Sequence, residues 1–224
     1  MKIAGKHARV TACLLGIAGA LFTMRVAVAQ TAALPASSAQ VEHLADLLTQ
    51  VIPLGKIMAQ QAAADPTWPL KEKASAVSTT QLTCMRNEMS PAGWRRAKLD
   101  DAKQFAAAHP DSLADDIKLL DSGAAMVAGK FVEAGITARK TGQSVDAKTV
   151  MKTVSPQQAS AFMTMLLDPK YASLRDLAGL NDMFDLSKSS QENREMGRQK
   201  GVSIAMKFTF RAMGDCGISP AALL

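Results

Sequence analysis

Three histidines, three cysteines and twenty acidic residues are what this sequence offers for nucleophilic, metal or acid–base chemistry. Their spacing decides which of them matter. Cys13 follows Val10-Thr11-Ala12, a run like a lipobox, but the apolar stretch lies after the cysteine, where lipidation needs it before. Cys84 and Cys216 have no Cys-x-x-Cys partner, and no histidine or lysine lies within three residues of either, so neither looks like an activated thiolate. His43 has Asp46 one turn later, a pair too small in ligands for a metal and better read as an exposed helical pair. Asp100-Asp101 and Asp115-Asp116 are adjacent carboxylates. On a helix neighbours point about 100° apart, so neither pair forms an acid–base couple by itself. Asp111 and Asp115 are expected on one face, with Lys118 partly neutralising it.

No His-x-x-x-His, Gly-x-Ser-x-Gly, phosphate loop or dinucleotide fingerprint occurs. His109-Pro110-Asp111 matches the tripeptide of J-domain cochaperones, but the basic and aromatic residues that flank it in that family are missing. Turn chemistry accounts for all three residues: Pro110 ends one helix, and Asp111 or Ser112 caps the next. The methionines, thirteen in the whole chain, read as adaptable core filler. Met85-x-x-x-Met89 and Met163-x-Met165 lack the density of a copper(I) carrier. No metal or cofactor is expected.

The chemistry-poor composition is explained by where the chain is sent. Lys2, Lys6 and Arg9 precede an uncharged apolar run from Val10 to Met24, and Ala27-Val28-Ala29 presents a signal-peptidase site before Gln30. The run is short for a bilayer-spanning helix. Residues 1–29 are therefore read as a cleaved export signal, and the mature protein as a soluble periplasmic chain rather than an integral membrane protein. Removing Lys2, Lys6, Arg9 and Arg25 takes four charges from the formal +6 and leaves +2, which is no global footprint for nucleic acid. In an oxidising periplasm Cys84 and Cys216 are expected to form a disulfide across more than a hundred residues.

Abundant Ala, Leu, Met, Lys and Gln with few aromatics and no alternating stretch imply an all-α fold. A flexible tail at 30–36 should lead into a single domain at 37–224, a bundle of about six to eight helices. Ser37-x-x-Gln40, Ser90-Pro91 and Ser155-Pro156-Gln157-Gln158 are helix starts. Leu70–Met89 reads as one helix with Ala74, Val77, Leu82, Met85 and Met89 inward. Leu113, Ile117, Leu120, Ala124, Val127, Phe131 and Ala134, at spacings of four and three, predict one long central helix. The last helix should run to about Met213, with Val202, Met206, Thr209 and Met213 on one side and Met196, Val202, Ile204, Phe208 and Phe210 in the core.

The segment Ser155–Phe162 followed by Leu166-Leu167-Asp168-Pro169-Lys170-Tyr171 resembles part of a family of exported helical proteins of Gram-negative bacteria that has no assigned activity. Asp168-Pro169-Lys170-Tyr171 stands where that family has Ser-Pro-x-Gly, and residues 84–142 have no counterpart in it. The resemblance implies a helical fold and export, and it transfers no site residues.

Charge is uneven along the chain. Asp100 to Glu133 holds seven acids against three bases, and Arg139 to Arg211 twelve bases against seven acids. Together these features point to a non-catalytic protein that binds another envelope or secreted protein, either an immunity-type inhibitor of an envelope-targeted toxin or an adaptor. Asp111, Asp115 and Asp116 on the acidic side, and Arg194, Arg198 and Lys200 on the basic helix, are the expected contacts. Two alternatives stand beside it: an envelope hydrolase working through Asp115 and Glu133, and a lipid or small-ligand carrier with an apolar cavity.

Overall fold

Four helices in this chain begin where a serine stands three residues ahead of a glutamine or glutamate. Ser37 accepts the Gln40 amide while the Gln40 side chain accepts the Ser37 amide, so two otherwise orphaned donors at the helix start are satisfied. The same reciprocal box opens helices at Ser78–Gln81, Ser155–Gln158 and Ser189–Glu192. Ser90 caps a fifth, with Pro91 in its first turn. The boxes at Ser37 and Ser155 and the Ser90-Pro91 start are those expected from the sequence.

The computed structural model describes residues 36–142, 147–181 and 187–223. The export signal and all of the expected tail but Ala36 lie outside them. The helices are α1 (Ser38–Val51), α2 (Leu54–Ala64), α3 (Thr79–Glu88), α4 (Pro91–Ala108), α5 (Leu113–Leu119) and α6 (Ala125–Thr141), then α7 (Ala147–Met151), α8 (Pro156–Leu167), α9 (Ala172–Leu177) and α10 (Ser190–Asp215). No strand occurs among the described residues, and the all-α single helical domain expected from the sequence is what the chain forms. Short α7 and α9 come in addition to the longer helices that the sequence pattern marks.

Two elements differ from expectation. Leu70–Met89 is not one helix: a 3-10 segment, Lys71–Ala76, ends at extended Val77, and Ser78 restarts the chain as α3. The Ser78 box outcompetes continuation because it offers the backbone a local alternative. The central stripe is also broken. Leu120–Ala124 forms a π-turn in which Gly123 has φ 111°, a conformation that side-chain-bearing residues rarely adopt. A Cβ on Gly123 would lie 2.4 Å from Cγ of Gln158, so the turn also lets the start of α8 close on the α5–α6 junction.

Helix α1 is the centre of the bundle. Leu44, Ala45, Leu47, Leu48 and Val51 are all buried, an apolar arc too wide for a single neighbour. It packs on α4, α5 and α6. Gly129 lets α6 approach so closely that a Cβ there would stand 2.3 Å from the Gln50 carbonyl. Gly55 does the same for α2 against Pro91 and Trp94. The Asp65–Pro69 break is tied down by Arg86 of α3. Its guanidinium donates to the carbonyls of Trp68 (3.0 Å), Asp65 (3.4 Å) and Pro66.

Helix α10 is held chiefly at its C-terminal half. Phe208, Ala212 and Met213 are buried, and Phe208 meets Trp94 edge to face at 4.8 Å. Cys84 and Cys216 form the expected disulfide, with Cα atoms 5.7 Å apart across a separation of 132 residues. The Gln81 amide donates to the Gly217 carbonyl beside it. In the chain-entropy picture a loop of that length contributes about 5 kcal/mol, so Cys84→Ser with Cys216→Ser should lower unfolding free energy by roughly 2–5 kcal/mol. Urea unfolding with and without reductant checks this: reductant should destabilise the parent and leave the double variant unmoved. Gly123→Ala should cost about 1–2 kcal/mol because φ is wrong for alanine, and the loss should persist when Gln158 is also shortened to Ala.

Candidate interaction surface

Of the six residues expected to meet a partner, Asp116 is buried, Asp111 and Asp115 lie at the start of α5, and Arg194, Arg198 and Lys200 lie on α10. On the acidic side, Asp111 lies in the turn before α5, exposed, rather than on the helix itself, so it does not share a helical face with Asp115. Asp115, in the first turn of α5, is exposed and paired with Lys170 of the α8–α9 connection at 2.6 Å. That hydrogen bond and charge hold its carboxyl below the ordinary aspartate range and raise the Lys170 ammonium. Asp116 is only 2% exposed and cannot offer its carboxylate to a partner. Its Oδ2 accepts the Ser112 hydroxyl at 2.7 Å, which is why Ser112, the residue before α5, gives its side chain to Asp116 instead of capping the helix.

Other acids from Asp100 to Asp121 are bound by side chains of this chain. Asp100 binds Arg211 of α10 at 2.6 Å, Asp101 binds Lys98 at 2.9 Å, and Asp121 takes His43 at 2.8 Å. His43 therefore pairs across the bundle and not with Asp46. Asp46 is held by both Nε and Nη2 of Arg95 on α4, which keeps that guanidinium firmly charged. Glu133, the second carboxylate of the hydrolase alternative, is on α6 and bound by Lys56, whereas Asp115 is on α5 before the kink and bound by Lys170. His109 closes α4 through its amide to Phe105 and rests its ring on Phe105 at 4.6 Å, so His-Pro-Asp is a turn as expected, but the expected side-chain cap on α5 does not form. Met163 is exposed and Met165 fully buried, so the two thioethers face different environments. No group of three or more metal-ligating side chains is present among the described residues.

The basic side is different in kind. Val202, Met206 and Phe210 are 40%, 51% and 43% exposed and follow one another at intervals of four along α10. With 3.6 residues per turn they form one ridge pointing away from buried Phe208 and Ala212. The core placement of Val202 and Phe210 expected from the sequence is therefore not what α10 adopts. Phe208, Ala212 and Met213 meet the body instead, and the ridge is left outside. Arg198 and Arg194 continue the same four-residue row toward the start of α10, Lys207 lies between Met206 and Phe210 in sequence, and Lys200 is on the far side of the helix from Val202. Arg198 is paired with Glu195 at 2.6 Å, and with the Gln199 amide it holds that carboxyl down at about 2. Among the described residues Arg194, Lys200 and Lys207 enter no ion pair.

Beyond Lys207 and Arg211, α10 forms one wall of a groove of about 290 Å³, with α4 as the other wall. Gly93, Leu99, Phe208 and Ala212 line its floor, and Glu88, Arg96, Asp100, Lys103, Arg211 and Asp215 its rim. The rim is laced together by Arg96–Glu88 at 2.8 Å and by Arg211 between Asp100 and Asp215. A lining so charged is unlike the apolar pocket a lipid carrier needs. The ridge and this groove were missed in the sequence, where the spacing of Val202, Met206 and Phe210 is visible but the side of α10 that packs is not.

No family model, no curated protein and no solved structure matches this chain.

Burial raises the Asp116 pKa above its ordinary value of 3.8, outweighing the Ser112 hydrogen bond and the charges of His109 and Lys170. A folded pKa above the unfolded one makes the ionised carboxylate a cost at neutral pH, and that cost vanishes once both states are protonated. Asp116→Asn should therefore raise the denaturant midpoint at pH 7, with the gain fading as pH falls below 3.8. A loss of stability at pH 7 would show instead that the charge is needed.

Proposed function

We propose that this chain is a non-catalytic protein-binding protein of the bacterial periplasm, of the immunity-inhibitor or envelope-adaptor class, and that it docks through α10. One observation carries the reading: the half-exposed ridge Val202–Met206–Phe210 on a helix pinned covalently at its end. Contiguous apolar exposure rimmed by polar residues is how interaction sites differ from ordinary surface. Anchoring by buried Phe208, Ala212, Met213 and the disulfide keeps the ridge rigid, which lowers the ordering cost of binding. The export signal in the sequence and the Cys84–Cys216 disulfide both support an oxidising compartment. The acidic side supports the reading less, since Asp116 is buried, Asp100, Asp101 and Asp115 already have cationic partners, and Asp121 is hydrogen-bonded to His43. Asp115 also departs from the behaviour of a general acid, because Lys170 lowers its pKa where such an acid needs it raised.

Affinity capture with chain 30–224 from its own envelope extract and from the secreted protein of competing bacteria tests this. The parent and an Asp111→Lys variant should retain one stoichiometric partner. Met206→Asp should lose it while melting at the parent temperature, because Met206 lies outside the core. Loss with Asp111→Lys, or retention with Met206→Asp, would overturn the assignment to α10. The activity of the captured partner then separates inhibitor from adaptor.

A further inference from the structure

Resting on the α10 docking reading, we infer that Met206 is a modification site: its thioether takes one oxygen from a hydroperoxide, and the sulfoxide switches the ridge off. Exposure separates the methionines into distinct groups. Among the described residues only Met206, at 51%, and Met163, at 38%, stand exposed. Met85, Met89, Met165 and Met213 are fully buried, and Met58, Met126 and Met151 pack against the core. The Met196 sulfur accepts the Lys188 ammonium at 2.9 Å, which engages the lone pair an oxidant needs. Other oxidisable side chains are shielded as well: Trp68 and Trp94 are buried, and Cys84 and Cys216 are already joined. Thioether oxidation follows access, so a peroxide meeting the folded chain is directed to two sulfurs.

Those two sit on different surfaces. Met163 belongs to α8, whereas Met206 is the middle of the ridge, four residues from Val202 and four from Phe210, neither of which a peroxide attacks. A lone pair of the Met206 sulfur attacks the terminal peroxide oxygen. The S–O bond forms as the O–O bond breaks, and the departing oxygen takes the proton and leaves as water or an alcohol. Sulfur gives up two electrons and the peroxide gains them. The product places a strongly polar S–O group where the ridge was apolar, and covering it with a partner then costs desolvation. The fold is spared, because Met206 lies outside the core. A sulfoxide reductase reverses the change: its dithiol becomes a disulfide, the oxygen leaves as water and the thioether returns. Docking through α10 is thereby made to depend on oxidant without unfolding the protein.

The test treats chain 30–224 with hydrogen peroxide, removes the excess with catalase and reads each methionine by peptide mass spectrometry. Met206 and Met163 should convert at least about tenfold faster than Met165 and Met213, at an unchanged melting temperature. The oxidised parent should lose the partner captured from envelope extract, and sulfoxide reductase with a dithiol should restore it. Met206→Leu stays apolar and cannot take the oxygen, so it should keep the partner after the same treatment. Met163→Leu should lose it as the parent does. Conversion of Met206 no faster than Met165, or capture lost equally by oxidised Met206→Leu, would overturn the inference. If untreated Met206→Asp loses the partner while oxidised parent keeps it, docking through α10 stands and the switch alone falls. If untreated Met206→Asp keeps the partner, the docking reading falls and the switch with it, whatever the rate of oxidation.

Discussion

Trp94 is the contact on which the arrangement of this molecule turns. Its indole N–H donates at 2.8 Å to the Ile52 carbonyl, which also accepts the Leu54 amide where the chain passes from α1 into α2. Its ring takes the edge of Phe208, and Lys98 lies over its face at 4.5 Å. One side chain thus joins the end of α1, the first turns of α4 and the second half of α10. A large aromatic with a satisfied polar group is suited to this, since it fills space between helices without leaving a buried donor unpaired. The disulfide adds a covalent tie at the far end of α10. Between Phe208 and Cys216 the rotation of that helix has no freedom, so its outward face is decided by what its inner face must bury.

The ionic contacts follow from that packing. The alternating blocks of acid and base along the chain look like two opposed surfaces, yet folding brings α10 beside α4 and the α8–α9 connection beside α5. Asp100 finds Arg211, and Asp115 finds Lys170. Such exposed pairs contribute little stability individually, typically under about 1 kcal/mol each. Their effect is on which charges remain for others to use. Within the acidic block Asp100, Asp101 and Asp115 are answered inside the molecule, and among the described residues Arg194, Lys200 and Lys207 of α10 enter no ion pair.

Helix starts were legible because they depend on residues three apart. Ser37, Ser90 and Ser155 announce themselves, and the buried face of α1 and the stripe running from α5 into α6 as far as Val127 repeat at helical spacing. The disulfide was legible from compartment and count. What stayed hidden needed information from elsewhere in the chain. The stripe from Leu113 to Ala134 keeps its period straight through Gly123, so nothing local marks the π-turn that Gln158 presses against. Asp116 looks like its exposed neighbour Asp115 until the packing that covers it is known. In α10 apolar residues occur around more than one side, so periodicity alone cannot separate Phe208, which is buried, from Phe210, which is not.

That ambiguity has a physical basis that bears on function. The first half of α10 is polar nearly all round, and a helix of that kind normally depends on local interactions rather than a core. Here those interactions are present: the Ser189–Glu192 capping box, Glu195 with Arg198, and Gln199 with Glu195. Each is worth only a few tenths to about 1 kcal/mol, but together they extend the helix beyond the region that packing alone would hold. The ridge from Val202 to Phe210 lies where the locally stabilised half meets the packed half. It is helical before any partner arrives, so binding does not have to order the backbone, and the apolar surface removed from water can count more fully toward affinity. Ile204, beside Gly179 and partly buried against the core, marks where packing takes over from these local interactions.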